Sequence, residues 1–178
     1  MYIAIVQDFT LSVALLYSLY TDLKYGKIYN LITLPVIAAG FVFNFFSNPD
    51  GHLAGLYDSL AAVLIAYAFF IVPFFLGALG GGDVKLMMAI GALKGCVFLF
   101  YSIISIGLVS FALSLLVFMM HIFKDHKFSG TLNILISFYH KNVLVGGDEL
   151  RPILKKNLKF GISIFLGTII AYVYMLKK

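Results

Sequence analysis

The sequence predicts an all-α protein that crosses a membrane about six times. Its 178 residues are 62% hydrophobic and only 12% charged, and the mean hydropathy is +1.01. A soluble domain has about 45–50% apolar and about 25% charged residues. One soluble core of this size cannot hide such an excess of apolar surface. We therefore predict a polytopic integral membrane protein.

The apolar runs have the length that a helix needs to cross a bilayer. A hydrocarbon layer of about 30 Å requires roughly 20 helical residues. The predicted spans are 2–20, 31–47, 56–79, 83–96, 97–123 and 158–176. The fourth and fifth divide the run 84–121, which is too long for one crossing and has its natural break at "LKG", residues 93–95. We expect one membrane-embedded domain over residues 1–178.

The first span is expected to stay in the protein and not to be a cleavable signal. It lacks a basic stretch at its start, carries Asp8, and has no small-residue cleavage site. The single cysteine, Cys96, excludes an internal disulfide and a zinc site of paired cysteines. The four histidines show no i,i+4 ligand spacing, so we expect no metal site.

The basic residues favour one orientation in the membrane. With six spans and the N-terminus outside, one side receives ten of them: Lys24, Lys27, Lys85, Lys124, Lys127, Lys141, Arg151, Lys155, Lys156 and Lys159. The other side receives three: Lys94, Lys177 and Lys178. Cytoplasmic loops carry the excess of Lys and Arg, so the larger group is predicted to face the cytoplasm. Topology and attraction to anionic lipid headgroups then explain the net charge of +5 without a nucleic-acid partner.

One sizeable polar stretch, residues 124–157, is predicted to be a cytoplasmic or interfacial segment. Within it, residues 128–144 carry apolar side chains at helical spacing: Leu132, Leu135, Ile136 and Tyr139. With basic residues around them, this pattern indicates an amphipathic helix in the membrane interface. Two roles stay open for it: guiding a substrate into the site, or simply connecting two spans along the lipid surface.

The stretch "LGGGDVKLMMAIGALKG", residues 79–95, places a carboxylate inside the membrane. Asp83 to Gly95 is twelve residues, or about 18 Å of helix, which is shorter than the hydrocarbon layer. If Lys94 lies at the outer interface, Asp83 stops short of the cytoplasmic surface. Irregular backbone at 80–82 is tolerated there only beside protein or a water-filled cavity. The alternative is that the glycines form a loop and Asp83 only N-caps the next helix.

A second aspartate, Asp22 in "YTDLKYGKIYN", ends the first span on the same side. There the helix dipole disfavours a negative charge. Two carboxylates at matching depth around a wet cavity titrate as a coupled pair. The ionised member can take a proton from water while the protonated member polarises a carbonyl, as in aspartic peptide hydrolysis. The sequence is compatible with Asp22 and Asp83 meeting but does not demonstrate it.

At these residues the chain resembles the type IV prepilin peptidase family, which consists of membrane aspartyl peptidases of the GxGD type. "GGGDVK" at 80–85 matches that family's Gly-x-Gly-Asp-[Val/Ile]-Lys motif. "DLKYGKIYN" at 22–30 is similar to its first-aspartate motif, Asp-x-[Arg/Lys]-x-x-x-Ile-Pro-Asn, with Tyr29 in place of the proline. The last span, "FGISIFLGTIIA", loosely matches the closing helix, although the proline common before it is absent.

The resemblance implies an aspartic endopeptidase that removes the leader peptide of prepilin-like proteins at the cytoplasmic face of the inner (plasma) membrane. Asp22 and Asp83 are the implied catalytic dyad, and Gly80, Gly82, Lys24 and Lys85 the implied substrate-side residues. No metal or organic cofactor is implied. The chain lacks the insertion with paired cysteines that methylates pilins in larger members. It therefore fits the compact Tad/Flp-type or archaeal-type branches. The form of the motif, "GGGDVKL" at 80–86, favours the bacterial Tad/Flp type.

Two other classes of function remain open from the residues. Intramembrane carboxylates and glycine-broken helices also mark small ion-coupled transporters, although no inverted repeat is found and both acids lie near one face. A scaffold subunit of a secretion machine would depend on neither aspartate. Structural roles are expected for the remaining acids: Asp8, Asp50, Asp58, Asp125, Asp148 and Glu149. The expected partners are prepilin-like substrates and membrane lipid, and the oligomeric state stays open.

Overall fold

The computed structural model of the protein describes residues 2–47, 52–77, 79–124 and 160–177. Throughout these ranges the regular elements are α-helices, which confirms the all-α prediction. The helices are α1 (Tyr2–Tyr25), α2 (Asn30–Ser47), α3 (His52–Phe75), α4 (Gly81–Lys124) and α5 (Phe160–Leu176). The interfacial helix predicted at 128–144 lies outside the described residues.

Four of the described helices are long and apolar enough to cross a membrane. The spans are Tyr2–Tyr25, Asn30–Ser47, Leu53–Phe75 and Gly81–Leu116, while α5 is apolar but has 17 residues. Large apolar side chains cover the outside of the helices, as Leu31 and Phe111 illustrate with exposed fractions of 83% and 70%. Such a surface suits lipid as the solvent, so the protein is membrane-embedded. The predicted count of six crossings stays a prediction.

The helix α4 is broken at Gly95, as the sequence predicted for the run 84–121. Gly95 has φ 77° and ψ −177°, a backbone conformation outside the helical region that glycine adopts readily. On one side of the break, Asn44 Nδ2 donates hydrogen bonds to the carbonyls of Ala92 (2.7 Å) and Leu93 (3.2 Å). On the other, Asp58 Oδ1 accepts from the Cys96 N–H at 3.3 Å. Side chains of α2 and α3 therefore satisfy backbone groups that the break leaves without intrahelical partners.

Contacts with α5 give the direction of the two segments of α4. Before the break, Lys94 pairs with Asp8 of α1 and lies 5.6 Å from the ring centroid of Tyr172. After it, Phe98 packs against Tyr172, whereas Ile106 lies against Gly167. Since Gly167 precedes Tyr172 in α5, the segment after Gly95 runs antiparallel to α5. The segment before Gly95 starts beside Ile28, after the end of α1, and finishes at Lys94 beside Asp8, near the start of α1, so the chain turns back at the break.

The bundle has two polar ends on either side of an apolar core. The Lys94 end holds Asp8, Lys94 and Tyr172. The Asp22 end lies fourteen residues along α1, or about 21 Å of helix from Asp8. Between the ends lie fully buried apolar side chains: Leu86, Met87, Ile90, Leu93, Leu99, Ile106 and Ile164. This packed core fixes α4 and α5 relative to the first three helices.

Candidate functional site

Asp22 lies in the last turn of α1 and is 9% exposed. Its Oδ2 accepts a hydrogen bond from the backbone N–H of Gly161 at 3.1 Å. Gly161 is the second residue of α5, so the carboxylate lies at the positive end of that helix's dipole. The favourable field of α5 offsets the unfavourable field at the end of α1, which explains how a buried carboxylate is accommodated there.

The contact between Asp22 and α5 depends on a residue without a side chain. A Cβ on Gly161 would lie 2.5 Å from Asp22 Oδ2 and 3.0 Å from its Cβ and Cγ. Such distances are shorter than real Cβ contacts, so any other residue at 161 would push the carboxylate away. The first turn of α5 and the last turn of α1 therefore form one close-packed unit.

Asp83 lies at the third position of α4 and is partly exposed. Its Oδ2 accepts from the backbone N–H of Gly80 at 2.9 Å, and the Gly80 carbonyl accepts from the Asp83 N–H at 3.1 Å. The first of these bonds is the one that the N3 side chain makes in a capping box, with Gly80 at the N-cap, whereas the second is an ordinary backbone bond of the first turn. The alternative that Asp83 is the N-cap residue is wrong about its position. Asp83 does cap the helix, but from the third position of the first turn.

The start of α4 is fixed against the chain that follows Asp22. A Cβ on Gly82 would lie 2.6 Å from the carbonyl oxygen of Ile28, which belongs to the connection between α1 and α2. Nearby, Lys85 Nζ donates to Asn30 Oδ1, the first residue of α2, at 2.9 Å. Both predicted catalytic aspartates consequently lie at the Asp22 end of the bundle, on two helices that contact each other.

The residues predicted on the substrate side contact the protein's own chain. Gly80 binds Asp83, and the space that a side chain on Gly82 would need is occupied by Ile28. Lys24 is exposed, donates to the Tyr20 hydroxyl at 3.1 Å, and lies 5.3 Å from the Tyr25 ring centroid. A substrate role for Gly80, Gly82, Lys24 and Lys85 stays a prediction.

Polar side chains surround Asp22 on its own helix. Ser18, one turn before Asp22, and Thr21, the residue directly before it, are each 1% exposed. The Thr21 hydroxyl donates to the Ser18 carbonyl at 3.1 Å, whereas the Ser18 hydroxyl has no partner among the described residues. Within the same ranges, no three His, Cys, Asp or Glu side chains form a group that could hold a metal ion. The described site thus offers carboxylates, hydroxyls and backbone donors.

Gly161 and Ile28 are site residues that the sequence reasoning missed. From the sequence, Gly161 is only a glycine in the first turn of the last span, where helices in general have no need of one. Ile28 is an ordinary apolar residue in a short connection. Neither carries a chemical signal of its own, because each matters through a neighbour that is distant in sequence.

The acids at the Lys94 end have the structural roles expected of them. Asp8 pairs with Lys94, and Asp58 accepts from Cys96 at the break in α4. Asp50, Asp125, Asp148 and Glu149 lie outside the described residues. The aspartates that remain for chemistry in the described ranges are therefore Asp22 and Asp83.

Comparison with known proteins gives one finding. Residues 9–119 match the model of the type IV leader peptidase family. This match covers 111 of the 178 residues, begins in α1, ends in α4 and includes both Asp22 and Asp83. No curated protein and no solved structure matches the chain.

Proposed function

The chain belongs to the type IV leader peptidase family, and from that premise we propose that it is an aspartyl endopeptidase acting on prepilin-like membrane proteins. The observation that carries the proposal is that the two aspartates within the family match lie at the same end of the bundle. Each carboxylate also accepts a backbone N–H at the start of a helix. Backbone donors at the two helix starts thus fix where each carboxyl group is held.

The proposed chemistry uses the two carboxyl groups with one shared proton. The ionised member removes a proton from a water molecule, whose oxygen adds to the carbonyl carbon of the scissile peptide bond. The protonated member donates its proton to the carbonyl oxygen. Collapse of the tetrahedral intermediate breaks the C–N bond: the leaving nitrogen takes the proton held by the dyad, and one hydroxyl of the intermediate returns its proton to the dyad. One water is consumed, a carboxylic acid and an amine are released, and the dyad again holds one proton.

We infer that the chain crosses the membrane six times, with α4 providing one crossing on each side of Gly95. The reversal of direction at the break supports this arrangement. It leaves Lys24, Lys27 and Lys85 at the Asp22 end, whereas Lys94 lies at the opposite end. By the distribution of basic residues, the Asp22 end then faces the cytoplasm of the inner membrane. Cleavage at that face suits a substrate whose leader precedes a hydrophobic helix.

The substrate class that fits best is a Tad/Flp-type prepilin. The proposed activity is cleavage alone and does not include methyl transfer. Gly80 bonds Asp83, and Lys24 and Lys85 lie at the same end of the bundle; all three are proposed to border the bound peptide. Gly82 is proposed to act by close packing against Ile28, which holds the Asp83 helix next to the connection that follows Asp22. The family match gives the alternative of an ion-coupled transporter no support.

The test is processing of a co-expressed prepilin by three variants. Asp22→Asn and Asp83→Asn should each abolish conversion to the shorter pilin band while the protein stays in the membrane. Asp8→Asn is the matched control, since it makes the same change on the same helix as Asp22 but at the Lys94 end. It should process the prepilin as the unaltered protein does. Full processing by either dyad variant would refute the proposed mechanism.

A further inference from the structure

We propose that Gly161 is a positioning residue of this site, so that the start of α5 forms part of the catalytic centre. The inference rests on the proposed function in that Asp22 is taken as catalytic. The contact on which it is built, from the Gly161 N–H to Asp22 Oδ2, is independent of that function. Through this contact the last helix determines where the carboxylate of α1 is held.

The first argument is that this one hydrogen bond satisfies both the Gly161 N–H and the Asp22 carboxylate. The first four N–H groups of a helix have no intrahelical acceptor, and a buried donor of this kind needs another partner. Gly161 is buried in the first turn of α5, and Asp22, 139 residues away in sequence, provides that acceptor. In return, the carboxylate receives a fixed donor and the field of the helix N-terminus. The bond therefore holds the carboxyl group in a single orientation.

The second argument is the reason for a glycine at position 161. Its φ is not among the positive values that occur at Gly26, Gly77 and Gly95, so the backbone there suits any residue. What excludes a side chain is Asp22, whose Oδ2 would lie 2.5 Å from a Cβ at 161. By contrast, a Cβ on Gly107 in α4 would meet nothing within 4 Å. The requirement for glycine at 161 therefore comes from the carboxylate itself.

The contact can be tested without any enzymatic activity, by hydrogen–deuterium exchange at single-residue resolution on the full chain in nanodiscs. In Asp22→Ala the Gly161 amide loses its acceptor and should exchange at least tenfold faster than in the unaltered protein. The control is Ser12→Ala, an exposed position of α1 whose hydroxyl donates to the Asp8 carbonyl, which should leave that rate unchanged. An unchanged Gly161 rate in Asp22→Ala would overturn the proposal.

The effect on catalysis is tested with two glycine substitutions and a synthetic prepilin peptide. Gly161→Ala should lower kcat at least tenfold and keep KM within about twofold, because it displaces the carboxylate without removing peptide contacts. Gly107→Ala makes the same change in open space and should match the unaltered protein. Equal kcat values for the two variants would overturn the positioning role.

The two experiments separate failure of this inference from failure of the proposed function. If the unaltered protein cleaves no prepilin peptide, the proposed function fails, and the exchange rate of the Gly161 amide alone decides whether α5 holds Asp22. If Gly161→Ala does not fold, the exchange rate in Asp22→Ala decides in the same way.

Discussion

Substitution of Gly82 by alanine should separate α4, which carries Asp83, from the chain that follows Asp22 by a distance that the structure defines. A Cβ at 82 would lie 2.6 Å from the Ile28 carbonyl oxygen and 2.8 Å from the Ile28 Cβ, whereas ordinary contact begins at 3.4 Å. The start of α4 and the connection after α1 must therefore move apart by about 0.8 Å, the shortfall in the closer contact, to avoid the overpacking that a core does not tolerate. Asp83 is the next residue, so it moves relative to Asp22.

The displacement should appear in kcat. A misplacement of about 1 Å costs an enzyme on the order of 100-fold in rate, so we expect Gly82→Ala to lose about that factor. Global stability should fall by about 1–3 kcal/mol, as is typical of an added methyl in a packed site. The assay is cleavage of a prepilin peptide by purified protein, together with thermal unfolding in detergent.

The neighbouring glycine supplies the matched control for this prediction. A Cβ on Gly81 would lie 3.5 Å from Phe74 Cε2, which is ordinary contact. Gly81→Ala should therefore cleave at close to the unaltered rate. If Gly82→Ala and Gly81→Ala had the same kcat, the packing of α4 on Ile28 would not position the dyad, and the reasoning would be refuted.

Two further predictions concern the break in α4 and the depth of the site. Asp58→Ala removes the acceptor of the Cys96 N–H and should cost about 0.5–2 kcal/mol, as loss of a helix cap does. Asp58→Asn keeps an acceptor and should cost less, and equal unfolding temperatures for the two would contradict the capping role. In a Cys96→Ala background, Asp83→Cys should react with a small aqueous thiol reagent from the cytoplasmic side, more slowly than Lys27→Cys, an exposed position in the connection between α1 and α2. Labelling of Asp83→Cys only from the outer side would contradict the proposed orientation.

The helices were largely predictable because lipid imposes a length and a composition on a span. The predicted spans 31–47 and 158–176 agree with α2 and α5 within two residues. The first span was predicted to end at residue 20, before Asp22 and Lys24, but α1 continues to Tyr25. It continues because Asp22 finds a donor in α5 and Lys24 reaches outward to Tyr20. Charged residues therefore did not mark the end of this helix, because their side chains have partners.

The start of α4 was predictable because its signal is local. Glycines followed by an aspartate predicted a helix beginning at Asp83, and the helix begins two residues earlier, at Gly81. Asp58 illustrates the opposite case. The sequence predicted only that its role is structural, and the group that it caps, the second segment of α4, lies 38 residues later. Gly161 is similar, because its role depends on a packing contact with α1.

The central claim, that Asp22 and Asp83 act as one unit, is tested most directly by comparing both single asparagine variants with the double variant. Groups that act as a unit are not additive in rate, because removing either one already abolishes the shared step. With purified protein and a prepilin peptide, the account predicts that Asp22→Asn, Asp83→Asn and the double variant have the same residual kcat. A single variant whose kcat clearly exceeds that of the double variant would contradict it.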